Sequence, residues 1–151
     1  MTTDQSDFCS RLVARLASED LQPQTVGVNQ FGNEAPLLTV RRLMEECHGA
    51  VVLGLAQLHV TTGVSKPGTH GERQVRSLWL PTPWNQLEAG MAFALNLPLL
   101  ILHEERVEPD GVFDPKISDR FVHQTDLSPA WFETAAFNQP FEQWVTEVIS
   151  R

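Results

Sequence analysis

The 151-residue chain has little of what marks several functional classes. Cysteine occurs only at Cys9 and Cys47, far apart and without metal-ligand spacing, so neither a zinc site nor a disulfide framework is suggested. A reducing cytoplasm is the default compartment for such a chain. Cations are scarce, with 11 Lys and Arg against 19 Asp and Glu. The net charge of −8 argues against a nucleic-acid partner, because gripping a phosphate backbone needs a concentrated basic surface. A small anionic ligand is compatible with it. Long apolar runs are also lacking: the run from Met91 to Leu102 is broken by Asn96 and Pro98 and falls short of the roughly 20 residues that span a bilayer. No basic stretch followed by an apolar one opens the chain, so the sequence predicts no signal peptide and no membrane partner.

What is present is an ordinary globular composition, 42% hydrophobic and 20% charged. The length fits one domain over residues 1–151 with a core of its own. Residues Met1 to Asp7 are polar and expected to fray. Phe8, Leu12, Val13 and Leu16 then recur at helical spacing, with Ser6 or Asp7 available as cap. Thr25 to Phe31 has the β-branched content of a strand, and Gly32-Asn33 ends it. Ala35 to Glu46 reads as a second helix, stopped by Gly49, and Ala50 to Leu55 as a strand apolar on both faces. Between His59 and Leu80 the pattern dissolves into Gly63, Pro67, Gly68 and Gly71, which predicts a long loop carrying Lys66, Arg73, Arg76, His59 and His70.

The segment after that loop is the most informative. Thr82 is placed to cap a helix, and Pro83 suits its first position because the missing N–H has no partner there anyway. Pro98 stops the helix, and Leu99 to Leu102 reads as a strand buried on both faces. Glu88 shares a helical stripe with Trp84, Met91, Ala92 and Leu95, a stripe expected to face the sheet. A carboxylate so placed is poorly solvated or looks into a pocket. Further on, Phe121 to His123 is a weaker strand candidate, Ser128-Pro129 opens a short helix, and a last helix starts near Pro140 with Phe141, Trp144, Val145 and Val148 on its apolar face. Alternating helices and buried strands predict an α/β sandwich whose mostly parallel sheet collects Phe31, His59, the start of the Glu88 helix and His103 to Glu105 at its carboxyl edge.

The order of elements and the run Trp84-Asn85-x-x-Glu88-x-Gly90-x-Ala92, followed by Leu97-Pro98 and an apolar strand, resembles the nucleoside 2-deoxyribosyltransferase-like and TIR-like (Toll/interleukin-1 receptor-like) superfamily. The resemblance covers roughly Thr25 to Leu102. It implies a flavodoxin-like three-layer sandwich with about four or five strands, and cleavage of the N-glycosidic bond of NAD, a nucleotide or a nucleoside. Glu88 matches the catalytic glutamate. It also implies function as a homo-oligomer, with the nucleotide as substrate and no separate cofactor. Members of that group begin with a central strand before the first helix, and Met1 to Asp7 is no strand, so the usual first strand is missing.

Beside Glu88, the residues placed to bind substrate are Trp84 by stacking, Asn85 by hydrogen bonding to a ribose hydroxyl, and His59, Phe31 and Arg76 from the carboxyl edge. Each has a plainer alternative: Trp84 as core or hinge, Asn85 as part of the helix start, His59 and Arg76 as solvated groups. His103-Glu104-Glu105 superficially suggests a metal, but neighbours on an extended chain point to opposite faces, so no metal is expected. The alternative to an enzyme is a non-catalytic nucleotide-binding or self-association module of the same fold.

Overall fold

The computed structural model describes residues 1–25, 36–116 and 121–151. The predicted strand at 25–31, including Phe31, falls almost wholly outside them. The described residues form an α/β fold around a parallel three-stranded sheet in the order β1 (Ala50–Gly54), β4 (Leu99–Glu104), β5 (Val122–Thr125). Register is fixed by Ala50 opposite Leu99 and by Ile101 opposite Val122.

β4 is buried at all six positions because it is both the middle strand and covered on two sides. Its alternation sorts the core. Leu100 and Leu102 point to a face shared with α1 (Thr3–Ala17) and α4 (Ala135–Ile149), where Phe8, Leu12, Phe137, Phe141, Trp144 and Val145 close the layer. Leu99 and Ile101 point the other way, onto Val52, Ala89, Ala92 and Phe113, with Met44 at the margin. That second face is covered by α2 (Pro36–Glu46) and α3 (Pro83–Ala94). Small residues at Ala89 and Ala92 let α3 approach the strands closely.

Several elements differ from the sequence-based expectation. Helix α1 starts at Thr3, not beyond Asp7, because Thr2 and Gln5 form a reciprocal capping box in which the Gln5 N–H donates to the Thr2 hydroxyl and the Thr2 N–H to the Gln5 side chain. Among the described residues α1 is the first element. Helix α4 starts at Ala135, capped by Thr134, and carries Pro140 inside it. The expected short helix after Ser128 is a 3-10 turn, Pro129–Glu133.

The largest difference is the segment His59 to Leu80. It is not a loop but an antiparallel hairpin, β2 (Leu58–Ser65) and β3 (Arg73–Leu80), forming a sheet of its own. Its turn uses positive φ at Lys66 and Gly68, and Glu72 accepts the Gly68 N–H, so local polar bonds close a tip that apolar periodicity does not reveal. Ser77 sits at φ 53 in mid-strand, where the Thr61–Ser77 pair is missing from an otherwise continuous register.

Among the described residues no helix is long and apolar enough to cross a membrane.

Candidate functional site

The carboxyl edge of the parallel sheet is built by three chain exits. After β1, Leu55 to Gln57 leads into the hairpin. Thr82 then starts α3, and β4 ends in His103 and Glu104. Asn85 ties two of these together: its amide donates to the Leu53 carbonyl (3.2 Å), and its carbonyl oxygen accepts from the Thr82 hydroxyl (3.1 Å). Thr82 therefore has the extended backbone of a cap without making a side-chain bond to the helix backbone. The Asn85 side chain thus links the helix start to the end of β1.

Gln86, one residue on, holds the chain beyond β4. Its amide donates to the Asp110 carbonyl (3.1 Å) and accepts the Val112 N–H (2.8 Å), so one side chain replaces a pair of backbone bonds. Gly111 is required there. Its φ is 59, and a Cβ would run into the Gln86 amide. Nothing in the sequence distinguishes Gln86 from any solvent-facing helical glutamine.

Glu88 lies two residues further along α3. The side of α3 that faces the sheet is centred on Asn85, Ala89 and Ala92, of which Ala89 and Ala92 are buried. Gln86 lies on the flank that meets residues 110–112; Trp84 and Glu88 lie on the other, the α2 side. The expected stripe is thus rotated from the sheet. Trp84 is 43% exposed, and Glu88 is half-buried at the helix flank. Among the described residues Glu88 has no hydrogen-bond or ion-pair partner, and burial lifts its carboxyl above the ordinary glutamate range.

The other expected contributors are placed elsewhere. Phe31 lies outside the described residues. His59 and Arg76 stand on the hairpin: His59 stacks on Trp79 (4.2 Å between ring centres, 10° between planes) and meets the Ser77 hydroxyl at 3.1 Å, and Arg76 is exposed opposite Thr62. Trp84, Asn85 and Glu88 share the first turns of α3, and His59 and Arg76 stand on the hairpin.

β4 ends in a buried polar cluster that the sequence only hinted at, through two polar residues continuing an apolar run. His103 and Glu104 point to opposite faces, as expected of neighbours on a strand. His103 packs against Phe113 and donates from Nδ1 to the Glu104 carbonyl (3.0 Å); burial lowers its basicity, partly offset by that bond. Glu104 is 2% exposed and accepts from Gln5 (2.9 Å), the Ala56 N–H (3.0 Å) and Arg106. Burial alone would raise its carboxyl, yet the bonds from Gln5, Ala56 and Arg106 outweigh it and hold the group below the usual glutamate value. Arg106 also lies 4.9 Å from the Trp79 ring centre, linking this cluster to the hairpin. Every donor here has an acceptor, so the cluster reads as a clamp joining α1, the segment after β1 and the end of β4.

Two concavities lie away from Glu88. One of about 70 Å³ sits at the amino end of β4, lined by Leu99, Leu100, Phe121, His123 and Trp144. The other, about 380 Å³, lies between α1 and the Pro129–Glu133 turn, beside Arg11, Arg15 and Phe132. Among the described residues no three His, Cys, Asp or Glu side chains come close enough to share a metal ion. Cys9 and Cys47 are free thiols, both made less acidic by burial, Cys47 also by Glu46. No family model matches the chain, and neither does any curated protein or solved structure.

Proposed function

We propose that the chain is a cytoplasmic N-glycosidase that cleaves the ribosyl–base bond of NAD or a related nucleotide or nucleoside, with Glu88 as its reactive carboxylate. One observation carries the reading: Glu88 is half-buried near the carboxyl edge of a parallel sheet, without a polar partner, and its carboxyl is lifted by desolvation. An unpaired, partly desolvated carboxylate contributes nothing to folding, and such groups concentrate at functional sites.

The chemistry follows from that state. Loss of nicotinamide breaks the C1–N bond, and its electron pair returns to the pyridinium nitrogen. Positive charge then develops at C1 and the ring oxygen, and a fixed carboxylate opposite C1 stabilises it. Water adds to C1 and gives up a proton, for which a carboxylate of raised basicity is the better acceptor. In NAD the base is already cationic before it leaves, so that substrate needs no strong acid. Trp84, one turn before Glu88 and 43% exposed, would stack on the base in this scheme. The nucleotide is substrate, and the scheme uses no cofactor.

The test is incubation with NAD and common nucleosides, following base release by chromatography, for the native chain and Glu88→Gln. The reading expects a loss of about 10²-fold or more in the variant. Absence of base release from the native protein, or an unchanged rate in the variant, overturns it.

The second reading, a non-catalytic nucleotide-binding or self-association module, is favoured by the structural use of Asn85, whose side chain is engaged by the Leu53 carbonyl and the Thr82 hydroxyl. Thermal stabilisation by a nucleotide without turnover would select it.

A further inference from the structure

Ser77 holds a conformation that its place in the fold does not call for. Among the described residues five non-glycine residues have positive φ; Asp20, Lys66, Asn96 and Leu127 lie just beyond the ends of elements, and Ser77, at φ 53, stands inside a strand. A side chain in this left-handed region is crowded against its own backbone, and glycine would take the position without that cost. The register breaks at the same point, where Val60–Leu78 and Thr62–Arg76 are paired and Thr61–Ser77 is not. Strain of this kind persists where the surroundings hold it in place, and it gathers at reactive sites.

The strained serine meets a histidine. Its hydroxyl lies 3.1 Å from Nε2 of His59, diagonally across the ribbon. With its proton on Nδ1, the His59 ring accepts the hydroxyl hydrogen at Nε2. The ring is held flat against Trp79, 4.2 Å between centres and 10° between planes. Trp79 in turn is anchored to the segment after β4: its carbonyl accepts the Glu108 N–H at 3.0 Å, it bridges to Val107, and Arg106 lies 4.9 Å from its ring centre. A hydrogen bond that only tied the two strands together would need neither the positive φ nor the stack, since seven cross-strand pairs already set the register.

We propose that His59 and Ser77 form a nucleophile–base pair that takes acyl groups from small activated esters. A serine hydroxyl within hydrogen-bond reach of a positioned imidazole is the arrangement that makes this weak nucleophile react. Ser77 Oγ attacks the acyl carbon while its proton passes to His59 Nε2. The bond from the acyl carbon to the leaving oxygen breaks, its electron pair goes with that oxygen, and Nε2 gives the proton to it. Acyl-Ser77 and an alcohol or phenol result; water taken through the same steps releases the carboxylic acid and restores the serine. Both side chains are exposed, and neither concavity described above includes them, which sets the substrate class. An open approach without enclosing walls suits an unhindered acyl group on a good leaving group, as in an aryl ester, and not an amide. The activity does not rest on the glycosidase reading, because it uses neither Glu88 nor a nucleotide.

The experiment is incubation of the full chain with p-nitrophenyl acetate, following p-nitrophenolate release and mapping the acetylated residues by peptide mass spectrometry. The native protein should acetylate Ser77 in preference to its other serines, with a fast phase of release. Ser77→Gly suits the positive φ, so it should fold at least as stably while losing that phase. His59→Phe keeps an aromatic ring against Trp79 without a base, and should slow acetylation of Ser77 by about 10²-fold. Far-UV circular dichroism should be native for both. Unfolding the native chain in urea should abolish the preference for Ser77. Acetylation of Ser77 no faster than of the other serines overturns the inference, as does a fast phase that survives in Ser77→Gly. So does an unchanged Ser77 rate in His59→Phe, or equal reactivity of Ser77 in the folded and urea-unfolded chain. The readout is acetyl transfer, not base release, so it is independent of whether Glu88 is catalytic.

Discussion

Removing the Glu104 side chain probes the clamp at the end of β4. In Glu104→Ala the Ala56 N–H loses its acceptor in a buried position, and the Gln5 amide nitrogen loses one of its two acceptors while keeping the Ala56 carbonyl at 3.0 Å. Arg106, 46% exposed at its side chain, turns to water at little cost. An unsatisfied buried donor costs about 1–3 kcal/mol and a lost charge-assisted bond about 1.5–3, so the expected loss is roughly 2–4 kcal/mol. For a chain of this size that lowers the midpoint of thermal unfolding by about 5–15 °C. Urea unfolding at pH 7 followed by tryptophan fluorescence and circular dichroism measures it. The pH dependence adds a separate check. The folded-state carboxyl is held below its ordinary value of 4.5, so its contribution is complete above that value and is lost as the pH falls beneath it. Glu104→Gln, which keeps the shape, should therefore flatten stability against pH below about 4.5. A loss under about 0.5 kcal/mol in the alanine variant, or an unchanged acid slope in the glutamine variant, would refute the clamp.

Three further outcomes are expected. Gly54→Ala places a methyl 2.6 Å from the buried Phe113 ring, which β4 and α3 leave no room to move, and should cost about 1–3 kcal/mol in chemical unfolding. Glu88→Gln should raise stability slightly at pH 7 while abolishing any turnover: the native carboxyl is raised by burial, so its ionisation opposes folding as the pH climbs through that range, and the amide escapes this. His103 and His123 are both made less basic by burial, so stability should be complete above the ordinary histidine value of 6.5 and fall as the pH drops below it. Replacing His103 by Gln should remove part of that decline in denaturant melts at pH 5 and pH 7.5.

The chain's own pattern determined the α/β class and the placement of its central strand. Leu99 to Leu102 has no polar residue, and only a middle strand covered on both faces tolerates that, which is where β4 lies. Thr82-Pro83 and Pro98 likewise bounded α3, since proline's fixed φ and missing N–H act locally. The candidate carboxylate was legible too, as an acid inside an apolar helix. Tertiary structure decided the rest. The face of α3 that meets the sheet is chosen by how closely Ala89 and Ala92 can approach it, which rotated Glu88 from the sheet to the flank. The hairpin escaped the sequence because Gly63, Pro67, Gly68 and Gly71 read as loop chemistry and outweighed the short alternation of Leu58, Val60 and Val64. In the sequence Glu104 reads only as part of His103-Glu104-Glu105 at the carboxyl edge of the sheet. Its burial is permitted only because Gln5 and the Ala56 N–H, 99 and 48 residues away, are brought to it by the fold.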